Sequence, residues 1–206
     1  MKRKNNGVKK GGKLKWIVIA IIVIAFLGTA FGSDDESNKS SNSSTKKETT
    51  TEAKKDVPAE YSSALRKAET YANTMHMSKQ AIYDQLVSEH GEKFSEKAAK
   101  YAMENIKVNW NKNALAKAKD YSDTMFMSKK GIYDQLTSQH GEKFTAKQAK
   151  YAVNNLKVNW KENALKKAKD YQDSMDMSPE AIRDQLTSQH GEKFTEEEAN
   201  YAIKNL

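Results

Sequence analysis

Three histidines, His90, His140 and His190, recur at a spacing of fifty, each followed by glycine, and the pairs Asp84-Gln85, Asp134-Gln135 and Asp184-Gln185 recur with them. Imidazole and carboxylate in a fixed pattern could serve a metal ion or general acid/base catalysis. Acid/base work needs a second titratable group held beside the first. No second carboxylate, nucleophile or base keeps a constant spacing to the Asp-Gln pairs. Histidines fifty residues apart would have to converge to share an ion, which an extended array forbids. A histidine before glycine at a helix end caps free carbonyls and meets the negative end of the helix dipole. Asp120 and Asp123, or Asp170, Asp173 and Asp176, could gather a calcium ion on a helix face, yet no loop of the EF-hand kind surrounds them. The absence of cysteine excludes a thiol nucleophile, a thiolate metal site and a disulfide. Tyr71, Tyr121 and Tyr171, with Tyr101, Tyr151 and Tyr201, read as core residues with a wet hydroxyl. The expectation is a protein that is not an enzyme and uses no cofactor, metal or small-molecule substrate.

The elements that carry these residues are copies of one unit. Residues 61–106, 111–156 and 161–206 align without a gap, separated by "KVNW". A constant period marks one supersecondary unit repeated in tandem. Ala114, Leu115, Ala118, Tyr121, Ser122 and Met125 trace one face of a first helix, as do the equivalents from Ala64 to Met75 and from Ala164 to Met175. Ser78, Ser128 and Ser178 stand where an N-cap belongs, and Pro179 occupies a first helical turn, so a second helix starts there. Ile132 and Leu136 point that helix inward. Its end is expected at His140-Gly141, with the glycine left-handed. Thr145, with Ser95 and Thr195, caps a third helix, Phe144 packs back on it as a staple, and Ala149, Ala152, Val153 and Leu156 continue the face. No Gly or Pro lies between Thr145 and Met175, and Trp160 is in phase with Leu156 and Ala164. The pattern predicts a continuous helix of about 30 residues, roughly 45 Å, joining neighbouring units. The fold class expected is all-α: three tandem three-helix, helix-turn-helix-like repeats joined by long continuous helices.

The front of the chain is different. Of the formal net charge of +8, seven charges lie in residues 1–32, which hold seven Lys or Arg and no acid. The basicity therefore belongs to a leader and not to the repeats. Residues 16–31, "WIVIAIIVIAFLGTAF", carry no charge. As a helix they span about 24 Å, against ~30 Å of hydrocarbon, with Lys15 free to snorkel and Trp16 suited to the interface. Residues 1–15 read as a cytoplasmic tail, 16–32 as a single transmembrane anchor through Trp16, Ile17, Ile21, Ile24, Phe26 and Phe31, and 33–58 as a disordered Ser/Thr-rich linker. Lys and Arg before the apolar run, with Asp34, Asp35 and Glu36 after it, put the N-terminus in the cytoplasm and the repeats outside the plasma membrane. The alternative is secretion after signal cleavage near Gly32, where Ala30, Phe31 and Gly32 form a small-x-small exit.

Sidedness decides between partners. The second and third helices outline a helix-turn-helix, which inside a cell would suggest DNA. Glu196, Glu197 and Glu198 open the third helix of the last copy, where phosphates would be repelled, so nucleic acid is not the expected partner. Lys143, Lys147 and Lys150 leave only a weak, nonspecific attraction in the middle copy.

The unit "NALxKAKDY…MSKKGIYDQLTSQHGEKFT…QAKYAVNNL" resembles the host cell surface-exposed lipoprotein family, Ltp-like repeats of superinfection-exclusion type in Gram-positive bacteria and their prophages. The likeness covers residues 61–206. It implies a three-helix repeat outside the membrane that, in the best-known members, stops an incoming phage from delivering DNA by engaging its injection machinery. Such lipoproteins carry a lipid-bearing cysteine. None is present here, so the apolar helix would substitute for the lipid. The partner expected is a protein at the envelope, with a phage tail or tape-measure protein as the candidate. The surface expected to meet it includes Gln85, Glu89, Gln135, Gln139, Glu142, Lys143, Gln185 and Gln189. The competing function is a cell-envelope scaffold that binds the wall or another host protein.

Overall fold

The computed structural model describes residues 57–206. The basic tail, the apolar stretch with its six anchor residues, the cleavage position near Gly32 and the linker up to residue 56 lie outside the described residues. Among the described residues no helix is long and apolar enough to cross a membrane.

Three helices recur in each unit: α1 Ala59–Thr74, α2 Lys79–Val87 and α3 Glu96–Asn105; α4 Trp110–Met125, α5 Lys129–Thr137 and α6 Ala146–Asn155; α7 Trp160–Met175, α8 Pro179–Thr187 and α9 Glu196–Lys204. Alanine has the highest intrinsic helix propensity and the smallest side chain that still packs. The first and third helices of each unit use it to approach closely. Ala64, Ala68 and Ala72 of α1 and Ala98, Ala99 and Ala102 of α3 are all fully buried in one cluster. Bulk comes from the second helix, whose Ile82 and Leu86, Ile132 and Leu136, and Ile182 and Leu186 are completely inaccessible. Burial of such a side chain contributes about 1.5–3 kcal/mol.

The expected starts of the second and third helices agree with the structure. The hydroxyls of Ser78, Ser128 and Ser178 accept from the backbone N–H three residues on. Ser95, Thr145 and Thr195 do the same for the third helix, and Gln148 and Glu198 complete capping boxes. Phe144 and Phe194 are 3% exposed, as a staple requires.

Two expectations are corrected. The long helix from Thr145 to Met175 does not form. Helix α6 ends at Asn155, residues 156–159 are not helical, with Leu156 and Asn159 in extended conformation, and α7 begins at Trp160. Asn159 is the cause: at φ −84° and ψ 99° its side chain accepts from Lys161 N, capping a new helix. Asn109 accepts from Lys112 N at the preceding connection. The β-branched Val108 and Val158 beside these caps also fit extended backbone better than helix. The second correction concerns glycine. The second helix ends earlier, at Thr137, and none of the described glycines has positive φ; the left-handed residues of the turn are Lys93, Lys143 and Lys193, at φ 55°, 55° and 60°. Gly141 is needed for space instead, because a Cβ there would stand 2.7 Å from Gln135 O and 2.8 Å from Gln135 Nε2.

Candidate functional site

The turn between the second and third helices is held by its own residues. In the middle unit Glu142 N donates to Gln135 O (3.3 Å), Lys143 N to Ser138 O (3.2 Å) and Phe144 N to Leu136 O (2.8 Å). These bonds bring Glu142 under the first helix, where Tyr121 donates its hydroxyl to Glu142 Oε1 at 2.5 Å and the Gln135 amide donates to the same phenol oxygen at 3.5 Å. Tyr171 donates to Glu192 at 2.5 Å, and Tyr71 donates to Glu92. Burial first, then the neighbouring carboxylate, pushes Tyr121 and Tyr171 well above the ordinary phenol range, and Tyr71 is pushed up to about 12. The phenols are thus held protonated as donors to these carboxylates.

The same turn joins one repeat to the one before it. Lys143 Nζ lies 2.5 Å from Asp84 Oδ2, and Lys193 Nζ lies 2.5 Å from Asp134 Oδ2. Ser128 donates its hydroxyl to Glu192 O at 2.6 Å. Beside the turn, the buried Asn113 amide donates to Ala72 O (2.8 Å) and Met77 O (3.2 Å), capping the end of α1 from the next repeat. Asn163 repeats this with Ser122 Oγ (2.9 Å) and Met127 O (3.2 Å).

Of the residues assigned to a partner surface, Glu89, Gln139 and Gln189 stand exposed at the tip of the turn, next to exposed His90, His140 and His190. Gln189 also accepts a bond from Lys130 of the preceding repeat. Gln85, Gln135 and Gln185 are half-buried, each with its backbone carbonyl closing the turn and its amide against the following glycine. Glu142 and Lys143 are half-buried in the contacts just described. The stretch from Asp134 to Thr145, repeated from Asp184 to Thr195, therefore divides into an inner set that shapes the turn and joins repeats, and an outer tip. No histidine side chain caps a carbonyl; it is the His90, His140 and His190 backbone N–H that donates, to Ser88, Ser138 and Ser188 Oγ at 3.2 Å.

The acidic start of α9 is equally occupied. Glu196 pairs with Arg183 and Glu197 with Lys161, both at 2.7 Å, while Glu198 closes the capping box. Among the described residues no group of three or more His, Asp or Glu side chains is placed to hold a metal ion.

The sequence reading passed over Asn113 and Asn163. Their signal is present: the equivalent in the first copy is Ser63, and the first copy has no predecessor to cap.

Three capped helical units, linked by buried amides and ion pairs and presenting a polar turn tip, define an array of tandem helical surface modules. The chain belongs to the host cell surface-exposed lipoprotein family, which matches residues 59–106, 109–156 and 159–206. A solved relative is Ltp, a superinfection exclusion protein from the Streptococcus thermophilus temperate phage TP-J34; the likeness has 51% identity, covers 50% of this chain and 100% of that one, and gives a TM-score of 0.45. No curated protein matches the chain.

Proposed function

We propose that this protein is held in the plasma membrane by residues 16–32, with its N-terminus in the cytoplasm. Its three repeats work outside the cell as a superinfection-exclusion device. They bind a protein of the incoming phage, a tail or tape-measure component, and stop its DNA from entering. The observation that carries this reading is the match of all three units to a family described as host cell surface-exposed, joined to 51% sequence identity with a chain described as a superinfection exclusion protein. The basic leader and apolar run supply the orientation. In place of a lipidated cysteine, which the sequence does not contain, the apolar run supplies the anchor. The tip residues Glu89, Gln139 and Gln189, exposed once per repeat, are the contact surface favoured here. Repetition raises the effective concentration of the second and third contact after the first is made.

The test is a panel of phages plated on cells that lack or overproduce the chain, with adsorption and DNA entry followed separately. Exclusion predicts unchanged adsorption with reduced DNA entry on overproducing cells. Plaque counts indifferent to the chain across the panel would remove the exclusion role and favour the envelope scaffold.

A further inference from the structure

Each junction inside the array sets the downstream face of one repeat against the upstream face of the next. Among the described residues, one face of each kind has no repeat against it: the downstream face of the third unit and the upstream face of the first. We propose that these two faces bind each other in separate copies of the chain, so that the arrays associate head to tail.

The residues on the two open faces complement one another where the internal junctions do. Asp184 occupies the place of Asp84 and Asp134, and Lys93 the place of Lys143 and Lys193; both are exposed and neither has an ion-pair partner among the described residues. At the second junction Lys166 Nζ stands 5.2 Å from the centre of the Phe126 ring. The open faces carry Arg66 and Asp176 at those positions, which are opposite charges. The internal junctions place an Asn amide against a small residue, Ala72 or Ser122. The open faces carry the reverse, with small Ser63 upstream and the exposed amide of Gln172 downstream.

Burial shows what such a contact would cover. Ser78 and Ser128 are 1% exposed beneath the following repeat, whereas Ser178 is exposed. On the upstream face Phe94 is half-buried, against 3% exposure for Phe144 and Phe194. One rim pair opposes the contact: Glu180 and Glu89 replace Lys130 and Gln189, which are hydrogen-bonded at the second junction. Like charges facing across a rim weaken association. The contact is therefore weaker than the covalently linked junctions and reversible. It is also heterologous, so each added copy leaves one face of each kind free and growth does not stop at a dimer.

The test is sedimentation velocity of the full chain in density-matched detergent, at rising protein concentration and low salt. The weight-average mass is expected to climb past two copies and to fall when salt screens the pairs. Asp184→Lys and Lys93→Asp are each expected to weaken association about tenfold or more, and the chain carrying both to recover it. Glu180→Lys, which restores an attractive rim pair with Glu89, is expected to strengthen association several-fold. A monomer at every concentration overturns the proposal. So does association through the anchor alone, recognised because neither single reversal changes it, and so does a double variant that fails to recover.

Discussion

Lys143 of the second repeat reaches back 2.5 Å to Asp84 of the first, and it does so from a left-handed backbone at φ 55°. That conformation costs a residue with a side chain about 1 kcal/mol. The same carboxylate accepts from Gln80 at 2.8 Å, which fixes its orientation. Both members are partly exposed, at 28% and 38%, so the pair is screened. A double-mutant cycle of Lys143→Ala and Asp84→Ala, read by urea unfolding, is expected to give a coupling of about 0.5 kcal/mol at low salt that shrinks at high salt. A coupling indifferent to salt would contradict a screened ion pair.

Asn113 is a larger contributor than either charge. Its buried amide serves two backbone carbonyls, Ala72 O in the last turn of α1 and Met77 O in the segment after it, and Asn113→Ala strands both. The expected loss is about 1–3 kcal/mol, measured as a lower urea midpoint. Ser63→Ala, at the equivalent position of the first repeat, is expected to change stability by less than about 0.5 kcal/mol.

Glycine and lysine in the turn have exchanged their usual roles, and substitution separates them. Gly141→Ala places a methyl 2.7 Å from Gln135 O, so the turn has to shift and stability is expected to fall by about 1–3 kcal/mol. Lys93→Gly removes left-handed strain without removing an ion pair within the chain among the described residues, and for dilute, unassociated protein is expected to be neutral or stabilising. Thermal unfolding of the two variants reads both signs.

The buried tyrosines set an alkaline limit. Folding raises the Tyr121 and Tyr171 phenols above their ordinary value near 10, chiefly by burial, and Tyr71 to about 12. A group held protonated by the fold contributes its full stability below pH 10, and that contribution is lost as pH rises above it. Unfolding free energy is therefore expected to decline between pH 10 and 12. Tyr121→Phe is expected to flatten that slope while lowering stability at pH 8, because Glu142 loses its donor.

Much of the fold was legible in the sequence because it is written in local chemistry. A serine or threonine before a helix, a proline in its first turn and an alanine stripe at helical spacing each act within a few residues. The break at residues 156–159 is not legible from the absence of Gly and Pro, because Asn159, which is compatible with a helix interior, acts there as a cap. The glycine misreading has a related source: "HG" signals a helix end, but Gly141 is selected by the approach of Gln135, a contact no local pattern displays. The candidate surface was legible only in its exposed tip. Glu142 and Lys143 looked like free charges, and their partners Tyr121 and Asp84 lie 21 and 59 residues away.

The central claim, that the repeats stand outside the cell, has a direct measurement. The sequence has no cysteine, so Gln139→Cys introduces one thiol at an exposed turn tip without background. Intact cells producing this variant are treated with a membrane-impermeant maleimide. Labelling as complete as in lysed cells is the predicted result; a thiol that reacts only after lysis would contradict the account.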